Sequence, residues 1–169
     1  MNIIETDRLI LRKLTPEDAE FMLDLLNQPS FIQFIGDRGV RTVEAARAYI
    51  SNGAVKSYER HGFGMYLTAL KEGGVPIGIC GLVKRDTLED VDVGFAFLPQ
   101  FWLQGYAYES ASAVMEYGRN VLGLPRIVGI TDPDNAGSIR VLEKIGLRFE
   151  RIVRLSADDI ELKLFAPET

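Results

Sequence analysis

This chain of 169 residues lacks several features that define common protein classes. It has one cysteine, Cys80, so it cannot form an internal disulfide, and we expect an intracellular, cytoplasmic protein. Its one histidine, His61, has no cysteine or acidic partner at a metal-ligand spacing, so we expect no metal site. No apolar run reaches the roughly 18 residues of a membrane span. The N-terminal "MNIIETDRL" carries acids where a signal peptide needs bases, which argues against targeting to a membrane.

An excess of basic charge is also missing. The formal net charge is −5 and the pI is about 5.0, which argues against a broad basic face for nucleic acid. An acidic chain is compatible with a small cationic molecule or a peptide amine as a partner. Neither G-x-x-x-x-G-K-[ST] nor G-x-G-x-x-G occurs, so a nucleoside-triphosphate loop and a dinucleotide site are not expected.

The hydrophobic periodicity predicts strands and helices that alternate along one domain, residues 1–169. Strands are expected over 7–14, 63–70, 75–83, 90–98, 126–131, 147–155 and 159–165, with a Gly-Gly turn closing one hairpin. Helices are expected over 15–27, 43–58, 105–122 and 135–145, and residues 28–39 are expected to form an irregular connector. Thr15 and Asp18 form a predicted capping box around Pro16, and Thr42 is the expected cap of the second helix. This order predicts an α+β sheet with flanking helices.

The stretch "DVDVGFAFLPQFWLQGYAYES" combines a strand with one slim face and a helix that begins near Gly105. Alternation places the larger apolar residues on one face of the strand and Asp92, Gly94, Ala96 and Leu98 on the other. Such a face accepts either a closely packed helix or a ligand lying along the backbone. A glycine at a helix start admits a pyrophosphate to the unpaired N–H groups, although it is also common as a simple turn residue.

Taken together, "GFAFLPQFWLQGYAYES" and the later "NAGSIRVLEKIGLRF" resemble the GNAT superfamily of acyl-CoA-dependent N-acetyltransferases. The opening "ETDRLILRKLTPEDAE" is similar to the branch that contains the ribosomal-protein N-terminal (Rim-type) acetyltransferases. The resemblance implies a mixed, mainly antiparallel sheet of six to seven strands flanked by about four helices. It also implies transfer of an acetyl group from acetyl-CoA, as a co-substrate without metal, directly to a primary amine. A protein N-terminus or a small molecule could supply that amine, and a homodimer is left open.

The resemblance also implies which residues hold coenzyme A. Backbone amides of one loop would bind the pyrophosphate, and these belong to Trp102, Leu103, Gln104, Gly105, Tyr106 and Ala107. Gly105 and Ala107 match the family motif. Trp102 replaces the usual Gln or Arg, and Leu103 stands where this branch usually has glycine. The backbone of Phe95, Ala96 and Phe97 would pair with pantetheine. Asn135 would hold the pantetheine arm, cap its helix, or do both.

Two catalytic candidates follow from the same resemblance. Asp92 stands where this branch often has glutamate and could accept the amine proton through a water molecule; the alternative is a solvated acid in "EDVDV". Ser138 could protonate the departing thiolate, or it could simply pack against the sheet. The tyrosine that many members use for that task is replaced by Leu142.

The remaining candidates concern the acceptor and the rival functions. Phe31 and Phe34, with Ile32 and Ile35, could line an acceptor pocket, or they could belong to the core or a lid. Cys80 is expected to be a buried thiol and His61 an exposed loop residue. The main alternative function is a catalytically weak coenzyme A-binding sensor or interaction module of the same fold, and an unrelated interaction domain would bind no coenzyme A. Release of thiol from acetyl-CoA separates the enzyme from these alternatives.

Overall fold

One mainly antiparallel sheet of eight strands runs through the described residues, 2–156 and 159–168, of this computed structural model. The spatial order is β1-β2-β3-β4-β5-β6-β8-β7, and β5 and β6 form the parallel pair. The strand bounds are β1 Asn2–Glu5, β2 Leu9–Lys13, β3 Met65–Leu70, β4 Pro76–Val83, β5 Val91–Phe97, β6 Ile127–Thr131, β7 Leu147–Val153 and β8 Leu162–Pro167. The predicted mixed α+β class is therefore confirmed.

The strand count exceeds the predicted six to seven because the chain begins with a further short strand. β1 pairs antiparallel with β2, and the register shifts between Asn2 and Ile4. Both ends of β1, Asn2 and Glu5, are exposed, so the four residues carry too weak an alternation to predict a strand.

Six α-helices are present in the described residues, against about four predicted. Their bounds are α1 Ala19–Leu26, α2 Pro29–Phe34, α3 Val43–Ile50, α4 Lys56–His61, α5 Tyr106–Asn120 and α6 Ala136–Lys144. The segment expected to be an irregular connector contains α2, which Pro29 begins at a first-turn position. The single helix expected over 43–58 is divided between α3 and α4 by a π-helical turn, Ser51–Val55. None of the helices in the described ranges is long and apolar enough to cross a membrane.

The predicted helix caps are confirmed. Thr15 and Asp18 form the capping box of a short 3-10 turn, Pro16–Asp18, which leads into α1. Arg12 holds the Asp18 carboxylate at 2.9 Å. The Thr42 hydroxyl accepts a hydrogen bond from the backbone N–H of Ala45 at 3.0 Å and caps α3.

Helices cover both faces of the sheet, and β5 contributes to both layers. Val91, Val93 and Phe97 pack in the core beneath α5, as the alternation predicts. The opposite face joins a second core with α1 and α3, to which Ala96 and Leu98 contribute. Cys80 of β4 is fully buried, and this burial raises the pKa of its thiol to about 12, so the prediction of a buried thiol is confirmed.

Candidate active site

The sheet opens between its two parallel strands. β5 and β6 pair only at Val91 with Ile127 and at Asp92 with Val128. Beyond this point β6 continues along β8, while β5 keeps only β4 as a partner among the described strands. The β6-facing backbone edge of Phe95, Ala96 and Phe97 is therefore without a strand partner. Such an edge can hydrogen-bond the amide groups of an extended ligand.

A tight loop leads from this open edge to the N-terminus of α5. It begins with a 3-10 turn, Pro99–Phe101, and includes two residues in the left-handed region, Leu103 at φ +62° and Gly105 at φ +85°. Leu103 is 98% exposed, so no packing compensates for its conformation. The Trp102 indole N–H donates to the carbonyl of Phe97 at 2.9 Å and ties the loop to the end of β5.

The first turn of α5 presents its backbone N–H groups beside this loop. Gly105 is the residue before the helix, and its carbonyl accepts from Glu109 N at 3.0 Å. The N–H groups of the first turn have no partner within the helix, and the positive end of the helix dipole lies behind them. A Cβ at Gly105 would meet the Arg8 guanidinium at 3.2 Å, and the positive φ of +85° disfavours any residue that has a Cβ.

Arg8, which the sequence reasoning did not identify, fixes this loop from the N-terminal hairpin. Its Nε donates to Glu109 Oε1 at 2.7 Å, and its Nη1 donates to the carbonyl of Gln104 at 2.9 Å. Its guanidinium lies 4.3 Å from the ring centre of Tyr106. Burial raises the pKa of Glu109, but hydrogen bonds from Thr6 and Arg8 outweigh it, so the net pKa lies below the usual range. No local motif reveals this network, because its partners are far apart in the chain.

Asn135 and Ser138 lie together at the start of α6, across the opening. Asn135 Oδ1 accepts from the backbone N–H of Ser138 at 3.2 Å, so the capping role is present. Within the described part of the chain, the side-chain amide N–H groups of Asn135 have no hydrogen-bond acceptor, which leaves them available to a ligand. The cap therefore leaves room for the predicted pantetheine contact. Ser138 is half-buried and lines the same cavity.

Asp92 occupies the point where β5 and β6 separate. Its side chain is 1% exposed, so the alternative of a solvated acid is wrong. Arg85 Nε donates to Asp92 Oδ2 at 2.9 Å. Burial raises the pKa of Asp92, while the charge and hydrogen bond of Arg85 and the charge of Lys84 act in the opposite direction. The carboxyl is thus more basic than an exposed aspartate, which suits a proton acceptor.

A single cavity of about 1770 Å³ connects these parts. It is larger than the 300–1,000 Å³ of common small-molecule sites, which leaves room for a long ligand and a second molecule. The cavity brings together most predicted site residues: Phe31, Phe34, Asp92, Phe95, Ala96, Phe97, Trp102, Leu103, Gly105, Tyr106, Ala107, Asn135 and Ser138. Gln104 does not line it; its side chain donates to the carbonyl of Gln100 at 3.1 Å.

The structure also locates four other positions considered in the sequence analysis. Phe31 is buried in the core under α1 and α3 and also reaches the cavity wall, whereas Phe34 is half-buried. The core interpretation therefore holds for Phe31, and the acceptor-pocket role of both residues stays a prediction. His61 is exposed at the last position of α4, rather than in a loop, and also lines the cavity. Leu142 is 1% exposed and packs against β6 at Gly129, so it belongs to the core.

An open strand edge, a helix start with outward N–H groups and a buried carboxylate lie along one long cavity, an arrangement suited to an extended ligand with an anionic group. The narrower assignment comes from sequence: the Acetyltransferase (GNAT) domain matches residues 8–148. This chain therefore belongs to the GNAT family of acetyltransferases.

Individual relatives agree with this assignment. The chain is 32% identical to the "Uncharacterized N-acetyltransferase YoaA" of Bacillus subtilis, over 90% of this chain and 86% of that protein. The fold is similar to that of an acetyltransferase from Agrobacterium tumefaciens, with a TM-score of 0.82, 23% identity and coverage of 98% and 94%. It is also similar to that of RimL, a ribosomal L7/L12 alpha-N-protein acetyltransferase in complex with coenzyme A, with a TM-score of 0.84, 19% identity and coverage of 98% and 97%.

Proposed function

We propose that this protein transfers the acetyl group of acetyl-CoA directly to a primary amine, with Asp92 as the proton acceptor. The observation that carries the proposal is the placement of Asp92 at the point where β5 and β6 part. The unpaired edge of β5 and the loop before α5 extend from that point along the same cavity. A thioester arm held along that edge would bring its reactive end to the only acidic side chain of β5.

The coenzyme A half of the site is built from backbone. The N–H groups at the start of α5 receive the pyrophosphate, because unpaired helix N-termini favour anions. The edge of Phe95, Ala96 and Phe97 pairs with the pantetheine amides, and Asn135 donates its side-chain N–H groups from the other side. The side chain of Trp102 acts indirectly: its hydrogen bond to Phe97 keeps the loop against the strand.

The chemical step needs one bond formed and one broken. The amine nitrogen attacks the thioester carbonyl carbon, the C–N bond forms, and the C–S bond breaks with its electron pair on sulfur. The amine gives up a proton to Asp92 through a water molecule, and the thiolate takes up a proton, with Ser138 as the proposed donor. Asp92 then releases its proton to solvent, and Ser138 takes a proton from solvent. The net transfer is therefore one proton from the amine to the thiol.

The acceptor class is a protein N-terminus or a small-molecule amine, and the protein acts in the cytoplasm. RimL, which shares the fold, acts on a protein α-amino group according to its name. An α-amino group has a pKa near 8, so a substantial fraction is already neutral at physiological pH, and a modest base suffices. Phe31 and Phe34 on the cavity wall provide apolar surface for the acceptor.

A thermal-shift and thiol-release experiment tests this function. Acetyl-CoA at 100 times its Kd should stabilise the protein by about 2.7 kcal/mol, and acetyl-pantetheine, which lacks pyrophosphate, should stabilise it less. Thiol release from acetyl-CoA should then require an added primary amine. A thermal shift without amine-dependent thiol release would instead support the coenzyme A-binding sensor. Absence of any shift at millimolar acetyl-CoA would overturn the site itself.

A further inference from the structure

The charge of the cavity is opposite to the charge of the chain. Seven Lys and Arg residues line the cavity against four Asp and no Glu in the described residues, which gives a formal charge of +3. The whole chain carries −5. A concave surface with one sign of charge concentrates ligands of the opposite sign. The cavity is therefore suited to anionic ligands.

The wall proposed to hold coenzyme A contributes none of this excess positive charge. Arg140 and Lys144 lie on α6 with Asn135, together with Asp132 and Asp134 in the loop before it. These two acids balance the two bases, so this wall carries no net charge. The excess lies on the opposite wall, formed by the segment after α2, by α4 and by the loop after β4. Its bases are Arg38, Lys56, Arg60, Lys84 and Arg85.

Few carboxylates balance the charge of these bases on this wall, which we call the acceptor wall. The remaining acids of the cavity lining, among the described residues, are Asp92 on β5 and Asp159 in the loop between β7 and β8. Asp86 and Glu89 belong to the same loop as Arg85 but do not line the cavity. Neither Lys56 nor Arg60 forms an ion pair with a described residue. The wall therefore offers cations to whatever molecule enters it.

Arg85 is the cation closest to the reaction centre. Its Nε is committed to Asp92 at 2.9 Å, but its side chain is 31% exposed whereas that of Asp92 is 1% exposed. The two Nη groups make no hydrogen bond to a described residue. Lys84 is held in place behind the pair, because its Nζ donates to the carbonyls of Arg85 at 2.8 Å and Leu88 at 2.7 Å. A fixed guanidinium thus faces the cavity directly beside the proposed proton acceptor.

We infer that the acceptor is an amine that carries a carboxylate close to its amino group, and that Arg85 binds this carboxylate. This inference rests on the proposed function and names its substrate class. A guanidinium beside a carboxylate complements an ammonium beside a carboxylate, and Arg presents its outer N–H groups to carboxylates as a planar pair. A free amino acid and an acidic peptide N-terminus share this chemistry. Polyamines, which offer only positive charge, are disfavoured by the cationic wall.

The test compares acceptors that differ only in the carboxylate. Thiol release from acetyl-CoA is measured with each L-amino acid and its carboxamide, with an acidic tetrapeptide and its fully amidated form, and with spermidine. The best acceptor should prefer the carboxylate over its amide by at least tenfold in kcat/KM, or about 1.4 kcal/mol. The amino-acid and peptide arms identify which source of the carboxylate the site accepts.

Variants of Arg85 then assign the preference to this side chain. Arg85→Gln should abolish the carboxylate-to-amide ratio, mainly by raising KM for the carboxylated acceptor, and Arg85→Lys should restore part of it. If these variants acted only by disturbing Asp92 as the proton acceptor, turnover of all acceptors would fall alike. The carboxylate-to-amide ratio would then be unchanged. Arg126→Gln is the matched control, because Arg126 holds Asp90 at 3.0 Å with 29% exposure but lies outside the cavity lining.

Two results would overturn the inference while leaving the acetyltransferase intact. The first is equal or better turnover of amides or spermidine. The second is a carboxylate preference that survives Arg85→Gln. If the protein bound acetyl-CoA but released no thiol with any of these acceptors, the proposed function and this inference would both be wrong.

Discussion

The two walls of the cavity are built from different chemical material. The wall proposed to hold coenzyme A is made largely of backbone: the open edge of β5, a loop with two left-handed residues and the start of α5. The wall proposed for the acceptor is made of side chains from α2 and the segment after it, from α4 and from the loop after β4. Backbone geometry tolerates changes in side-chain identity, whereas a wall of side chains changes with each substitution. Single substitutions should therefore change the acceptor wall more than the backbone wall.

The largest expected effect comes from the carboxylate between the walls. Asp92→Asn keeps the shape but removes the proton acceptor, so kcat should fall by about 10²- to 10⁴-fold with little change in acetyl-CoA affinity. Asp90→Asn is the control, because Asp90 is also paired with an arginine but lies outside the cavity lining. Full turnover by Asp92→Asn, with the fold intact by circular dichroism, would show that holding amine and thioester together is sufficient.

The pH dependence of turnover is a second test of Asp92 as the proton acceptor. Burial raises the pKa of Asp92, so this carboxyl loses its proton at higher pH than an exposed aspartate. A base acts only when ionised, so wild-type turnover should fall on acidification while Asp92 becomes protonated. Asp92→Asn should lose that dependence, and its deficit should shrink at high pH, where the acceptor amine is already neutral.

A smaller effect is expected on the backbone wall. Gly105→Val would place a branched side chain before the start of α5, and acetyl-CoA affinity should fall by about tenfold or more, or 1.4 kcal/mol. The matched control is Gly123→Val, since Gly123 also has a positive φ, +68°, but lies away from the cavity lining. Both variants should lose stability, and calorimetry should show weaker binding only for Gly105→Val. Equal losses of affinity would mean that strain, rather than blocked access, is responsible.

The smallest expected effect is a gain in thermal stability. Leu103 is held at φ +62° with 98% of its side chain exposed, and the left-handed region costs a non-glycine residue about 1–2 kcal/mol. Glycine removes this cost but adds backbone entropy to the unfolded chain, so Leu103→Gly should stabilise the fold by about 0.5–1 kcal/mol. Thermal unfolding should show a rise of roughly 2–4 °C for each kcal/mol. Leu103→Ala keeps the conformational cost and should show no such rise.

The same contrast explains what the sequence could reveal. The slim face of β5, the glycine before α5 and the caps at Thr15 and Thr42 each depend on neighbours in sequence, and the structure confirms these local features. The burial of Asp92 was not predictable from "EDVDV", because it depends on β4 and β6 on either side. The Arg85–Asp92 pair was missed for a related reason: it depends on how the loop after β4 folds back onto β5. The roles of Asp92 and Ser138 in catalysis stay predictions.

The bond between Arg8 and Glu109 has a consequence for how the protein is made. It joins residues 101 positions apart, so the beginning of the chain must wait during synthesis until the middle has emerged. Closing so long a loop costs chain entropy before the contact forms. The loop before α5 therefore cannot mature as an autonomous fragment, although its sequence motif is short.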